Sequence, residues 1–132
     1  MRVTYRTRED ALRLVLQREA SRTARSIEVA GILDLGERGR LLGLEIGSGP
    51  GLDLRRAVGS WLERSGLASW LSLADEGVYL QLVAEPAARA SRHARSVAVR
   101  LLLELDTQGR LLAVLLPRRG DGYELSSPSG ST

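Results

Sequence analysis

The chain of 132 residues has no cysteine, no phenylalanine and only one histidine, His93. Without cysteine there is no disulfide framework and no thiolate metal site. With one histidine and no cysteine, no Ser-His-Asp or Cys-His nucleophile set is expected. Lysine and asparagine are also missing, so all 19 basic residues are arginine. These gaps share a cause: Lys, Asn, Phe and Ile use A/T-rich codons, and a GC-rich coding sequence depletes them together. Because guanidinium stays protonated far above neutral pH, arginine alone lifts the isoelectric point to about 10.1. The formal net charge is only +3, against 16 acidic residues, so the high value is weak evidence for a polyanion partner. Aromatics make up only 4% of the chain. No run of apolar residues is long enough to cross a bilayer as a helix, and the N-terminus lacks a signal-peptide core, so a soluble, cytoplasmic protein is expected.

What the chain does have is a repeat. Ala20-Ser21-Arg22-Thr23-Ala24-Arg25-Ser26 returns as Ala90-Ser91-Arg92-His93-Ala94-Arg95-Ser96 with a single mismatch. At the same offset, Ile32-Leu33-Asp34-Leu35 returns as Leu102-Leu103-Glu104-Leu105, and Gly39-Arg40-Leu41-Leu42 as Gly109-Arg110-Leu111-Leu112. Two copies of one unit imply one architecture used twice, arranged about an internal pseudo-two-fold.

Within the first copy, Leu12, Leu14 and Leu16 alternate with Arg13 and Val15, the period of a strand with one buried face. Ile32–Leu35 and Leu41–Ile46 flank the turn Gly36-Glu37-Arg38-Gly39 and read as a β-hairpin. In the second copy, Val78, Leu80 and Leu82 alternate. Val97–Leu105 is a long apolar strand, and Leu111–Leu116 returns until Pro117 stops it. Between the copies, Asp53 is a good N-cap, and Leu54, Ala57, Val58, Trp61 and Leu62 follow the spacing of one apolar helix face. The expected fold is α+β and mostly β. Two antiparallel β-meander repeats occupy residues 1–50 and 68–118, a connecting amphipathic helix residues 51–67, and a C-terminal tail residues 119–132, largely disordered at its end. All belong to one compact domain.

Several residues carry a resemblance. Tyr5, Asp10-Ala11-Leu12, Leu14 and Leu16, then Ser26, Glu28-Val29, Gly31-Ile32-Leu33-Asp34 and Gly39-Arg40-Leu41-Leu42-Gly43-Leu44-Glu45-Ile46 resemble a small prokaryotic family, domain of unknown function twenty-two eighty-three. The likeness covers most of the first copy; the second is degenerate, with Gly77, Ala113 and Leu115 where the first has Ala11, Gly43 and Glu45. The resemblance implies a short β-rich protein, brings no catalytic residues with it, and points faintly to a protein partner. Single-repeat relatives would reach by dimerising what this chain fuses.

Three constellations invite a function. The repeated basic loops place Arg22, Arg25, Arg92, His93 and Arg95 where a pseudo-two-fold could gather them into a surface for phosphates, although no aromatic is interleaved for base stacking and Glu19, Glu28 and Glu85 lie near enough to pair with them. Leu44-Glu45-Ile46-Gly47-Ser48-Gly49-Pro50-Gly51 resembles the first motif of class I S-adenosylmethionine-dependent methyltransferases. Glu45, Gly47, Gly49 and Gly51 would form the cofactor loop, and Asp75 would serve as the ribose acid. Asp34 and Glu104 are equivalent across the copies and could face each other near the axis as a carboxylate pair. Each has a plainer reading as a solvated loop, a linker and a hairpin surface. The sequence therefore favours a non-catalytic module that binds another protein, with no cofactor and no metal. Nucleic-acid binding through the arginine loops is the first alternative, and S-adenosylmethionine or nucleotide binding at Gly47–Gly51 the second. Either a monomer with an internal pseudo-dimer or a homodimer fits.

Overall fold

The computed structural model describes residues 2–16, 22–49, 51–54, 56–58, 71–74, 77–82, 95–120 and 122–125. The chain is mostly β. The strands are β1 (Arg2–Arg6), β2 (Ala11–Val15), β3 (Arg25–Leu35), β4 (Leu41–Gly47), β5 (Leu71–Ala74), β6 (Gly77–Gln81), β7 (Arg95–Leu105) and β8 (Leu111–Pro117), followed by the short pair β9 (Arg119–Gly120) and β10 (Tyr123–Glu124). The first eight form one sheet in the order β1-β2-β8-β7-β3-β4-β6-β5, and every neighbouring pair is antiparallel.

The centre of the sheet is the β3–β7 pair. All eleven residues of each strand are in register, from Arg25↔Leu105 to Leu35↔Arg95, with Ala30 opposite Arg100 in the middle. Apolar residues at alternate positions explain the pair. Val29, Leu33 and Leu35 of β3 and Leu101, Leu103 and Leu105 of β7 are buried on one face. Leu12, Leu14 and Leu16, Leu44 and Ile46, Val78 and Leu80, and Leu111, Val114 and Leu116 extend that face into one core. The expected hairpin of β3 and β4 is present, as is its counterpart of β7 and β8. Each has a register shift next to the turn, at Asp34/Leu35 and Glu104/Leu105. Gly109 closes the second turn at φ +80°, where an L side chain is strained.

Two expectations need correction. A meander in each copy would set β2 beside β3, yet β2 pairs with β8, and β6 pairs with β4. A strand has only two hydrogen-bonding edges. Those of β3 are taken by β4 and by the full length of β7, so β2 hydrogen-bonds to the free edge of β8 and β6 to that of β4. The C-terminal segment, expected to be a tail from residue 119, is part of the fold as far as Leu125. β9 and β10 pair, Tyr123 and Leu125 are buried, and the Tyr123 hydroxyl donates to the Pro117 carbonyl at 3.1 Å. Arg118 fastens this segment, lying over the Tyr5 ring and bridging Asp10 and Glu124. Residues 126–132 lie outside the described residues.

Of the connecting helix, the first turn is described. The Asp53 carboxylate accepts the Arg56 amide at 3.2 Å, the Asp53 carbonyl accepts the Ala57 amide at 2.9 Å, and Ala57 and Val58 enter the core. Trp61, Leu62 and Trp70 lie outside the described residues.

Candidate functional site

Side chains that alternate with the core positions form the outer face of the central pair. On β3 these are Ser26, Glu28, Ala30, Ile32 and Asp34. On β7 they are Ser96, Ala98, Arg100, Leu102 and Glu104. Among the described residues, Ile32 at 39% and Leu102 at 37% are the exposed large apolar side chains. They stand on the same face on either side of Ala30 and Arg100: Ile32 is opposite Ala98, and Leu102 is opposite Glu28. Between them the Arg100 Nε donates to Glu28 Oε1 at 2.8 Å, with both side chains mostly in solvent. The centre of the face is thus apolar and small-residued, with one cation and one anion exposed on it.

Polar clusters border the face at both ends. Glu104 is only 5% exposed, and its carboxylate accepts from Arg13 Nε at 2.8 Å, with Arg6 at 3.9 Å. A buried carboxylate needs such partners, because desolvation disfavours the charged form. At the other end Asp34 accepts from the Ser96 hydroxyl at 2.6 Å and from the Tyr79 hydroxyl at 2.9 Å. Burial, and then the hydrogen bond to Asp34, push the Tyr79 phenol up to about 12. Gly43 makes room for that ring, since a Cβ there would sit 2.2 Å from the Tyr79 hydroxyl. Asp34 and Glu104 therefore do not face each other near an axis. Asp34 is opposite Ser96 and Glu104 is opposite Ser26, eight strand positions apart or roughly 27 Å at ~3.3 Å per residue. No shared proton can pass between them, and each serves a local network instead.

The arginine-loop candidates are separated too. Arg25 begins β3 and Arg95 begins β7, and an antiparallel register carries them to opposite ends of the pair, about 33 Å apart at ~3.3 Å per residue. Arg25 Nη2 donates to the Gly51 carbonyl at 3.0 Å, and Arg95 Nη2 to the Gly122 carbonyl at 2.5 Å. Arg22 is exposed; Arg92 and His93 lie outside the described residues. Glu28, expected near the loop arginines, pairs with Arg100 instead, and Glu19 and Glu85 lie outside the described residues. Arg25 and Arg95 thus belong to two sites, not to one basic surface.

The methyltransferase-like reading of Glu45, Gly47, Gly49 and Gly51 is corrected by topology. β4, which carries Glu45 and Gly47, lies between antiparallel neighbours on both sides. That cofactor loop requires a strand in a parallel sheet with helical crossovers, which converge strand ends and helix starts on one edge. Asp75 lies outside the described residues. Gly47 instead lets β4 approach β3, since a Cβ there would be 2.8 Å from the Ala30 carbonyl, and Gly77 lets β6 approach β4, since a Cβ there would be 2.7 Å from the Ile46 carbonyl.

Sequence reasoning missed Ile32, Leu102, Arg13 and Tyr79 as parts of one face. A signal was present. Ile32 and Leu102 hold the same place in the repeated tetrapeptide and break the alternation of β3 and β7 by being apolar at outward positions. Among the described residues, no group of three or more His, Cys, Asp or Glu is placed to hold a metal ion, and no helix is long and apolar enough to cross a membrane. Comparison of the chain with protein-family models, curated proteins and solved structures found no match.

Proposed function

We propose that this chain is a non-catalytic protein-interaction module, built as a fused tandem pair about a pseudo-two-fold, that docks through the outer face of β3 and β7 against a second copy of itself. The observation that carries the reading is the exposed pair Ile32 and Leu102 flanking the solvent-facing Glu28 and Arg100. Lone exposed apolar residues are ordinary on a protein surface. Two on one face of a central strand pair, with the small Ala30 and Ala98 beside Ile32 and the Glu28–Arg100 pair beside Leu102, make a contact surface.

The charges favour a second copy as the occupant. An isologous contact sets the same patch against itself. A second copy can then present Arg100 to Glu28 and Glu28 to Arg100, making two reciprocal pairs flanked by the apolar side chains. The tandem reading is supported by the strand order, which reads the same from either end once each strand of the first copy is exchanged for its counterpart in the second. It is also supported by the central register, where the repeat-equivalent residues Ala30 and Arg100 pair with each other.

The test is sedimentation equilibrium over a wide protein concentration range. Concentration-dependent dimer should form for the natural chain and weaken in Glu28→Arg and in Arg100→Glu, each of which sets like charges against each other. The double exchange should restore it. A monomer at every concentration, or a dimer indifferent to all three variants, overturns the proposal. The Glu28–Arg100 pair within one copy is solvent-exposed and is worth less than about 1 kcal/mol, so neither single variant should unfold the chain.

A further inference from the structure

We propose that the cleft between the start of β3 and the 106–109 turn binds an oxyanion, a phosphoryl or carboxylate group carried on a small molecule. The cleft has a volume of about 320 Å³, at the small end of ligand-binding cavities. Its walls bring together Arg25, Gly51, Arg56, Thr107, Gln108 and Gly109, from three separated stretches of the chain.

The balance of charge within it is the argument. Two carboxylates also line the cleft, Asp53 and Asp106, and Asp106 is already engaged. Its Oδ1 accepts the amides of Gln108 and Arg110, each at 2.8 Å, and its Oδ2 accepts Arg110 Nε at 2.7 Å. Asp53 Oδ1 accepts the Arg56 amide. The two guanidinium groups, by contrast, have no carboxylate among the described residues. Arg25 is held in place by one bond from Nη2 to the Gly51 carbonyl, which leaves most of its five N–H donors free. Arg56 is exposed, and its stem runs beside Gly109, where a Cβ would be 3.6 Å from Arg56 Cδ. Two planar forks and the side-chain donors of Thr107 and Gln108 thus face a space with a single opposing charge, that of Asp53. A planar or tetrahedral oxyanion satisfies such donors in pairs.

This site lies at the end of the central pair, away from the outer face, so it stands or falls independently of the docking proposal. The test is a titration followed by amide chemical shifts at constant ionic strength, with inorganic phosphate and, separately, acetate. Saturable shifts confined to residues 51–56 and 106–109 are expected. Each of Arg25→Gln and Arg56→Gln should weaken them about ten-fold or more, as for the loss of a charge-assisted bond. Arg119→Gln, at a distant ion pair, should change nothing. Tighter binding of phosphate assigns a phosphoryl ligand and tighter binding of acetate a carboxylate; either upholds the site. Shifts that spread over the arginines without saturating, or that survive Arg56→Gln, overturn it. Because Arg56 is exposed and outside the sheet, that variant keeps the test sound even if Arg25→Gln loosens the start of β3.

Discussion

Replacing Asp106 by alanine removes the carboxylate that organises the turn between β7 and β8. Asp106 is 5% exposed, and three bonds converge on it: the amides of Gln108 and Arg110 and the Arg110 guanidinium. The Arg110 side chain is 37% exposed, so solvent screens that pair and it contributes at most about 1 kcal/mol. The two amide bonds add about 0.5–1.5 kcal/mol each. The expected loss is about 2–3 kcal/mol, which at a urea slope of about 1–3 kcal/mol per molar moves the unfolding midpoint down by roughly 1 M. Asp106→Asn keeps one carbonyl acceptor and should lose about half as much. The pH dependence follows from the same bonds. Burial opposes the charged form of Asp106, but the Arg110 amide, the Arg110 guanidinium and the Gln108 amide outweigh it and hold the carboxyl below its ordinary range. A carboxylate with a lowered folded pKa stabilises above its unfolded pKa of about 3.9, and that stability is lost as pH falls through the folded value. Urea melts by circular dichroism at pH 7 and in the acid range should therefore show the gap between Asp106→Ala and the natural chain narrowing toward low pH. A deficit below about 0.5 kcal/mol at pH 7, or one equally large in acid, refutes the reasoning.

Leu103→Ala, at a position with no exposure at the centre of the core, should cost about 3–5 kcal/mol in the same melts, whereas Leu102→Ala on the outer face should cost far less. In an alkaline titration read by tyrosinate absorbance, Tyr79 should ionise near 12, after an ordinary tyrosine. Asp34→Asn should lower that value only in part, because burial is the larger cause. A phenol pKa raised by folding stabilises fully below its unfolded pKa of about 10, and the contribution is lost as pH rises through 12. Alkaline unfolding between those limits should be blunted in Tyr79→Phe. Gly43→Val should displace the Tyr79 ring and bring the Tyr79 titration closer to that of a solvent-exposed tyrosine.

The sequence made parts of this protein legible because they are local. The alternation of Leu12, Leu14 and Leu16, the Gly36–Gly39 turn and the hairpin it closes are set by side-chain period and backbone conformation within a dozen residues. The Asp53 cap is legible for the same reason, since its carboxylate needs only the amide of Arg56. What remained hidden depends on which strand edges meet. Arg13 and Glu104, or Asp34 and Tyr79, are far apart in sequence and unrelated by any motif; they touch because β2 joins β8 and β6 joins β4.

The basic loops show the limit most clearly. Repetition of Arg25 as Arg95 suggested one surface, but an antiparallel pair in full register sends equivalent ends in opposite directions, and the two arginines finish about as far apart as the strands are long. The side-chain periodicity determined by itself that the chain would form antiparallel strands with one apolar face, joined in hairpins, because those depend on alternation and turn chemistry. Only the tertiary structure decided the pairing of β2 with β8 and of β6 with β4, the exposure of Ile32 and Leu102 together, and the meeting of Arg25 and Arg56 across one cleft. Those outcomes rest on edge-to-edge hydrogen bonding between distant segments, for which a linear sequence carries no local signal.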